Sequence, residues 1–147
     1  MLSITRGLYV AVHNNSQYPN TYYEGLKIPV GYQSDIGVTR TFYNKASWPY
    51  SDCREDVSTI LSGDSQYYQN TLSINSYSRK LCYQVCLQYK LIIATCNCAD
   101  PSLPIVSSNQ AICHINNDLN CTEIVRQNYS NLDSQCSSEC PLGKYNL

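Results

Sequence analysis

Long apolar runs are missing from this chain. The longest beside a helical pattern is residues 91–94, Leu-Ile-Ile-Ala, against the roughly 20 residues a membrane-spanning helix requires. The opening MLSITRGLYVAVHNN likewise holds no apolar block of signal-peptide length. Charge of one sign is also scarce. Ten Lys and Arg stand against 11 Asp and Glu, for a net charge of −1, with no basic run and no acidic tail. That removes any electrostatic case for nucleic acid as a partner. Phe and Trp occur once each beside 14 Tyr, which suggests wet, amphipathic contacts rather than a thick greasy core. Only two His are present, His13 and His114, and neither lies near an obvious nucleophile. No acyl-transfer or metal-hydrolase set assembles, so the sequence reads as a non-enzyme with no cofactor. There is no internal repeat and no low-complexity segment.

What the chain has in excess is cysteine, nine in 147 residues. Three N-x-[ST] sequons accompany them, at Asn14, Asn120 and Asn128. The combination favours an oxidising, extracellular context, with all three Asn as candidate glycosylation sites.

Hydrophobic patterning divides the chain. Residues 7–13, GLYVAVH, alternate with Leu8, Val10 and Val12 on one side, as in a half-buried strand. Residues 36–44, IGVTRTFYN, alternate again before Pro49 breaks the pattern. The polar stretch 54–76 reads as an ordered loop with one short helical turn. From residue 77 to 95 the period becomes helical. Cys82, Cys86, Tyr89 and Ile93 form one stripe, flanked by Leu81, Val85 and Ile92, with Asn75, Ser76 or Ser78 as caps. A second helix is expected over about 122–132, with Asn120 and Glu123 resembling a capping box. Strands first, then two helices joined by a cysteine-rich loop, make an α+β chain.

Zinc knuckles want C-x2-C pairs, and a redox site wants C-x-x-C. The pairs here are C-x3-C (82 and 86; 136 and 140) and C-x-C (96 and 98). Disulfides account better for this spacing. Residues four apart on a helix point the same way. If the second segment runs antiparallel to the first helix, Cys82 meets Cys140 and Cys86 meets Cys136. Cys96 and Cys98 would then bond separately to Cys121 and Cys113. Such loops stabilise a fold by roughly 2–4 kcal/mol each, less where they nest. Cys53 is left over.

These motifs resemble the degenerin, epithelial sodium channel and acid-sensing ion channel superfamily. The stretch YSRKLCYQVCLQYKLIIATCNC looks like its cysteine signature. GLYVAVHNNSQYP and PVGYQSDIGVTRTFYN are similar to two of its strands, with Val30 where Pro is common. WPYSDC and SECPL resemble the start and finish of its thumb domain. The matches run in family order over nearly the whole chain. The resemblance implies palm and β-ball strands over 1–50 and a two-helix, disulfide-laddered thumb, truncated at its C-terminus, over 51–147. The family's ladder carries the pairing above plus an outermost rung, from Cys53 to a third terminal cysteine. Lys144 stands at that position, so Cys53 is expected to be unpaired. A rival register pairs Cys53 with Cys140 and Cys82 with Cys136, leaving Cys86 free.

The resemblance further implies an extracellular fragment of an amiloride-sensitive-type, ligand- or stimulus-gated sodium channel subunit at the plasma membrane. It would couple an external stimulus, a peptide or a proton, to a pore conducting sodium in a trimeric parent with other channel subunits. Tyr50 falls where the family places an aromatic against the first membrane helix, a gating-coupling candidate. Glu123 falls where acid-sensing members hold a thumb carboxylate, but Gln127 replaces the second acid, which makes it a weak proton-sensing candidate. The alternative is a secreted disulfide-rich binding module.

Overall fold

The computed structural model describes residues 7–15, 18–19, 24–42, 45–114, 118–128 and 135–142. The chain is α+β and divides into two compact units, Met1–Phe42 and Tyr43–Leu147.

In the first unit, β1 (Leu8–Val10) pairs antiparallel with β2 (Leu26–Ile28), Tyr9 opposite Lys27. The Lys27 ammonium lies 5.5 Å from the Tyr9 ring centroid, a cross-strand contact that helps fix the register. Gly7 is needed where the strands close, since a Cβ there would sit 2.9 Å from the Ile28 carbonyl oxygen. Gly31, at φ 84°, turns the chain after β2. β1 is shorter than the alternation over 7–13 suggests, and its partner strand was not evident from the sequence. The alternation over 36–42 does not become a strand either. Those residues have no ladder partner among the described residues, and Val38 and Phe42 face solvent. Alternation records a face meant for burial; a strand also needs an edge to pair with. Asn44, the end of that expected strand, lies outside the described residues.

The second unit is helical. α1 (Gln66–Ile74) occupies the stretch expected to be mostly loop. Its sequence, QYYQNTLSI, is too polar to show a broad apolar stripe. Two things hold it: the Ser65 hydroxyl caps the Tyr68 amide at 3.2 Å, and the Tyr68 ring is fully buried. α2 (Arg79–Cys86) starts at Ser78, whose hydroxyl accepts from Leu81 N at 3.1 Å. The helix continues through a π segment (Leu87–Ile92) into α3 (Ile93–Cys96). Asn97 stops it in the left-handed region, φ 58°, its amide returning to the Ile93 carbonyl at 2.9 Å.

α4 (Leu119–Gln127) begins three residues before the expected start. The capping box between Asn120 and Glu123 is not made, because both residues lie inside the helix. Asp118 is the cap residue, and its carboxylate accepts instead from the His114 amide at 2.9 Å. Leu132, the expected end, lies outside the described residues. The core gathers Cys86, Leu87, Ile92, Leu103 and Cys136, with Tyr67, Tyr83, Leu91 and Val125 packed against it. Four of these nine residues are cysteine or tyrosine, in keeping with a chain short of Phe and long apolar runs.

Candidate functional site

Four disulfides lace the helical unit. Cys82–Cys140 (S–S 2.02 Å) and Cys86–Cys136 (1.97 Å) tie α2 to the C-terminal segment. Cys96–Cys121 (1.98 Å) joins the end of α3 to α4, and Cys98–Cys113 (2.05 Å) pins the loop between them. The αL turn at Asn97 is what sends the two sulfurs of C-N-C to different partners. The rival register, which left Cys86 free, is not the one adopted. Cys53 is a free thiol, buried at 5% exposure. Next to it the Arg54 amide donates to the Leu142 carbonyl at 2.7 Å, so the start of this unit is strapped to its end. Lys144 lies outside the described residues.

The π segment is the hub of the polar contacts. A π turn holds one more residue than an α turn; here the Ile93 amide reaches back five residues to the Gln88 carbonyl. Three successive side chains then reach three separate segments. Gln88, fully buried, donates to the Asp100 carbonyl (3.0 Å) and accepts from the Asp100 amide (3.1 Å). The Tyr89 hydroxyl accepts from the Val106 and Ser107 amides at 2.7 and 3.2 Å. The Lys90 ammonium donates to the Gln135 carbonyl and to Glu139 at 2.9 and 3.0 Å. Sequence periodicity treats these positions as a helix face and misses the hub. Their polarity in the middle of an apolar pattern was the available signal.

Asp100 is the buried partner of an ion pair. Its carboxylate accepts from Arg126 on α4 at 2.6 Å and from both the amide and the hydroxyl of Ser102. Burial works to raise the Asp100 carboxyl, but the two Ser102 hydrogen bonds and the Arg126 charge outweigh it, so the group is held below its ordinary value. Asp64 is similar. Burial opposes ionisation, yet the Leu61 amide and the Arg54 guanidinium, at 2.8 Å, hold its carboxyl low. Arg54 also lies 5.0 Å over the Tyr68 ring. That ring in turn meets Tyr77 at 4.8 Å between centroids. The Tyr77 hydroxyl, which donates to the Pro141 carbonyl, is pushed up, first by burial and then by the neighbouring Tyr68.

The singled-out side chains are not brought together. Tyr50 is 84% exposed on a turn closed by its own amide to the Ser47 carbonyl at 3.0 Å. Trp48, the only Trp in the chain, is 80% exposed on the same turn. Glu123 is exposed on α4, its carboxylate accepting from Gln127 at 3.3 Å. Asn120 and Asn128 are exposed and Asn14 is half-buried. The sequon residues Ser16, Tyr129 and Ser130 lie outside the described residues. Among the described residues no helix is long and apolar enough to cross a membrane.

A helical unit short of apolar core and stapled through four disulfides is of the class built for oxidising surroundings. The chain belongs to the amiloride-sensitive sodium channel family, whose family model matches residues 2–147. It is thereby a member of the degenerin, epithelial sodium channel and acid-sensing ion channel superfamily. It is 32% identical over 134 residues to the FMRFamide-activated amiloride-sensitive sodium channel of Cornu aspersum, covering 90% of this chain and 19% of that protein. To the epithelial sodium channel subunit gamma of Neoceratodus forsteri it is 35% identical over 106 residues, 72% of this chain and 15% of the relative. To degenerin mec-10 of Caenorhabditis elegans it is 32% identical over 104 residues, 71% and 13%. The chain thus spans a fifth or less of the length of these relatives, two of which are named as sodium channels or their subunits.

Proposed function

We propose that this chain is the extracellular palm-and-thumb portion of a sodium channel subunit at the plasma membrane. Its role is to couple an external stimulus to a pore formed elsewhere in the parent trimer. On this reading residues 1–50 supply palm and β-ball strands and residues 51–147 the thumb. The observation that carries it is the four-disulfide helical unit lying inside the stretch matched by the channel family. Cross-links at both ends of the helices make the unit stiff, so a force or ligand at one end moves the whole body rather than bending it. The exposed turn carrying Trp48 and Tyr50 supports a docking contact for that motion.

A peptide is the first ligand to try, because one relative is named for activation by FMRFamide. Protons are less well supported. Asp64 and Asp100 are held below their ordinary value, and Glu123 meets only the neutral Gln127 in the contacts above. The test is to express the full-length subunit containing this segment and record amiloride-sensitive sodium current with candidate peptides applied outside. Tyr50→Ala and Trp48→Ala should reduce the evoked current at unchanged surface abundance. Full current in the double variant would sink the coupling role of the turn.

A further inference from the structure

We propose that Asn120 is an N-glycosylation site open only before the Cys96–Cys121 rung closes, so that sugar addition and disulfide formation compete at one tripeptide. The inference rests on the extracellular reading above for its compartment, and on geometry for its timing. The sequon is Asn120-Cys121-Thr122. In the fold all three residues lie in α4. Side chains two apart on an α-helix point about 200° apart around the axis. Accordingly Asn120 faces solvent while Thr122 is 3% exposed. The Thr122 amide is already engaged, donating to the Asp118 carbonyl at 3.2 Å. Between them Cys121 is bonded to Cys96, with Cα atoms 5.9 Å apart. A glycosylating enzyme must grasp the Asn carboxamide and the Thr hydroxyl together, and the helix holds them on opposite sides. The folded sequon is therefore closed to it. The finished sugar is not excluded, because the Asn120 side chain points outward.

Two reactions use the same open tripeptide. In one, the Asn120 amide nitrogen attacks C1 of a lipid-linked oligosaccharide diphosphate. The N–C1 bond forms, the C1–O bond to the diphosphate breaks, and the amide gives up one proton. In the other, the Cys96 and Cys121 thiols lose two protons and two electrons to a protein disulfide, which is reduced to a dithiol. Cys96 is made 25 residues earlier, so it is ready when Cys121 emerges. The window for Asn120 is then the interval before that pair closes. Asn128 and Asn14 do not share this constraint, since neither sequon has a cysteine at its centre.

The experiment presents the full chain to purified oligosaccharyltransferase with lipid-linked oligosaccharide, once reduced and unfolded and once oxidised with its four rungs. Occupancy at Asn14, Asn120 and Asn128 is read by peptide mass. Asn120 is expected to carry glycan in the reduced chain and to lose it in the oxidised one. In oxidised samples, Cys96→Ser, which frees α4 from its covalent tether to the end of α3 and lets the helix open, should regain occupancy at Asn120. Cys98→Ser, which removes the neighbouring rung and leaves Cys96–Cys121 intact, should not, which separates this rung from general loosening. Equal occupancy in both states, or no glycan at Asn120 in the reduced chain, overturns the proposal. Glycan on any sequon of the full-length protein made in secretory cells tests the compartment separately, so either reading can fail without the other.

Discussion

Asp100 and Arg126 decide more at the residue scale than any exposed side chain. Asp100 is buried and Arg126 half-buried, at 6% and 10% side-chain exposure, so removing the arginine leaves a buried carboxylate with only its Ser102 hydrogen bonds to offset the charge. Arg126→Ala should destabilise the helical unit by about 3 kcal/mol, read as a lowered urea midpoint. The double variant with Asp100→Asn should recover part of that loss. The sign of the pH dependence follows from the lowered carboxyls. Asp64 and Asp100 ionise more readily folded than unfolded, so their stabilisation is present above the unfolded value, about 3.9, and is lost as pH falls through the folded values. The melting temperature should be insensitive to these groups from neutrality down to about pH 4 and drop below it. Asp100→Asn should make that acid limb shallower. Cys53 gives a second test. Its thiol is 5% exposed, so iodoacetamide should label it in denaturant and hardly at all in the native chain. Rapid native labelling would contradict that burial.

Among the elements, the long helix is defined by its interruptions. Ser78 and the C-x3-C stripe were legible in the sequence because a cap and a 3.6-residue period are local properties. The π segment was not, since whether a turn takes an extra residue depends on what lies across from it, here the Asp100 backbone, residues 106–107 and the segment 135–139. α1 was missed for a related reason: its stability comes from one buried Tyr68 and one Ser65 cap rather than a broad stripe. Asn97 provides the prediction at this scale. At φ 58°, Gly should be tolerated there, whereas Val should cost about 1–2 kcal/mol and slow correct pairing of Cys96 and Cys98. Chemical denaturation with disulfide mapping of Asn97→Gly and Asn97→Val checks both.

For the whole molecule, nesting of the disulfides matters more than their number. The Cys86–Cys136 loop lies inside the Cys82–Cys140 loop, so either rung alone pre-pays most of the closure entropy of the other. Each single removal should therefore cost only about 2–3 kcal/mol, and removing both should cost more than the sum. Unfolding of Cys82/Cys140→Ala, Cys86/Cys136→Ala and the quadruple variant tests this; strict additivity would contradict the nested-loop account. Mass spectrometry of the unreduced chain should return a Cys86–Cys136 linked peptide in the same samples that carry Cys82–Cys140.

The sequence alone determined the family, the α+β class and the kind of chemistry that replaces a large apolar core, because cysteine spacing and helical period are written in residue order. Tertiary structure decided the rest. It chose between the two terminal registers and turned a polar stretch into α1. It gave residues 36–42 no strand partner among the described residues, and it placed Asn120 and Thr122 on opposite sides of α4. Each of these depends on what a segment meets across space, and hydrogen-bond partners, strand edges and burial are not properties of a segment by itself.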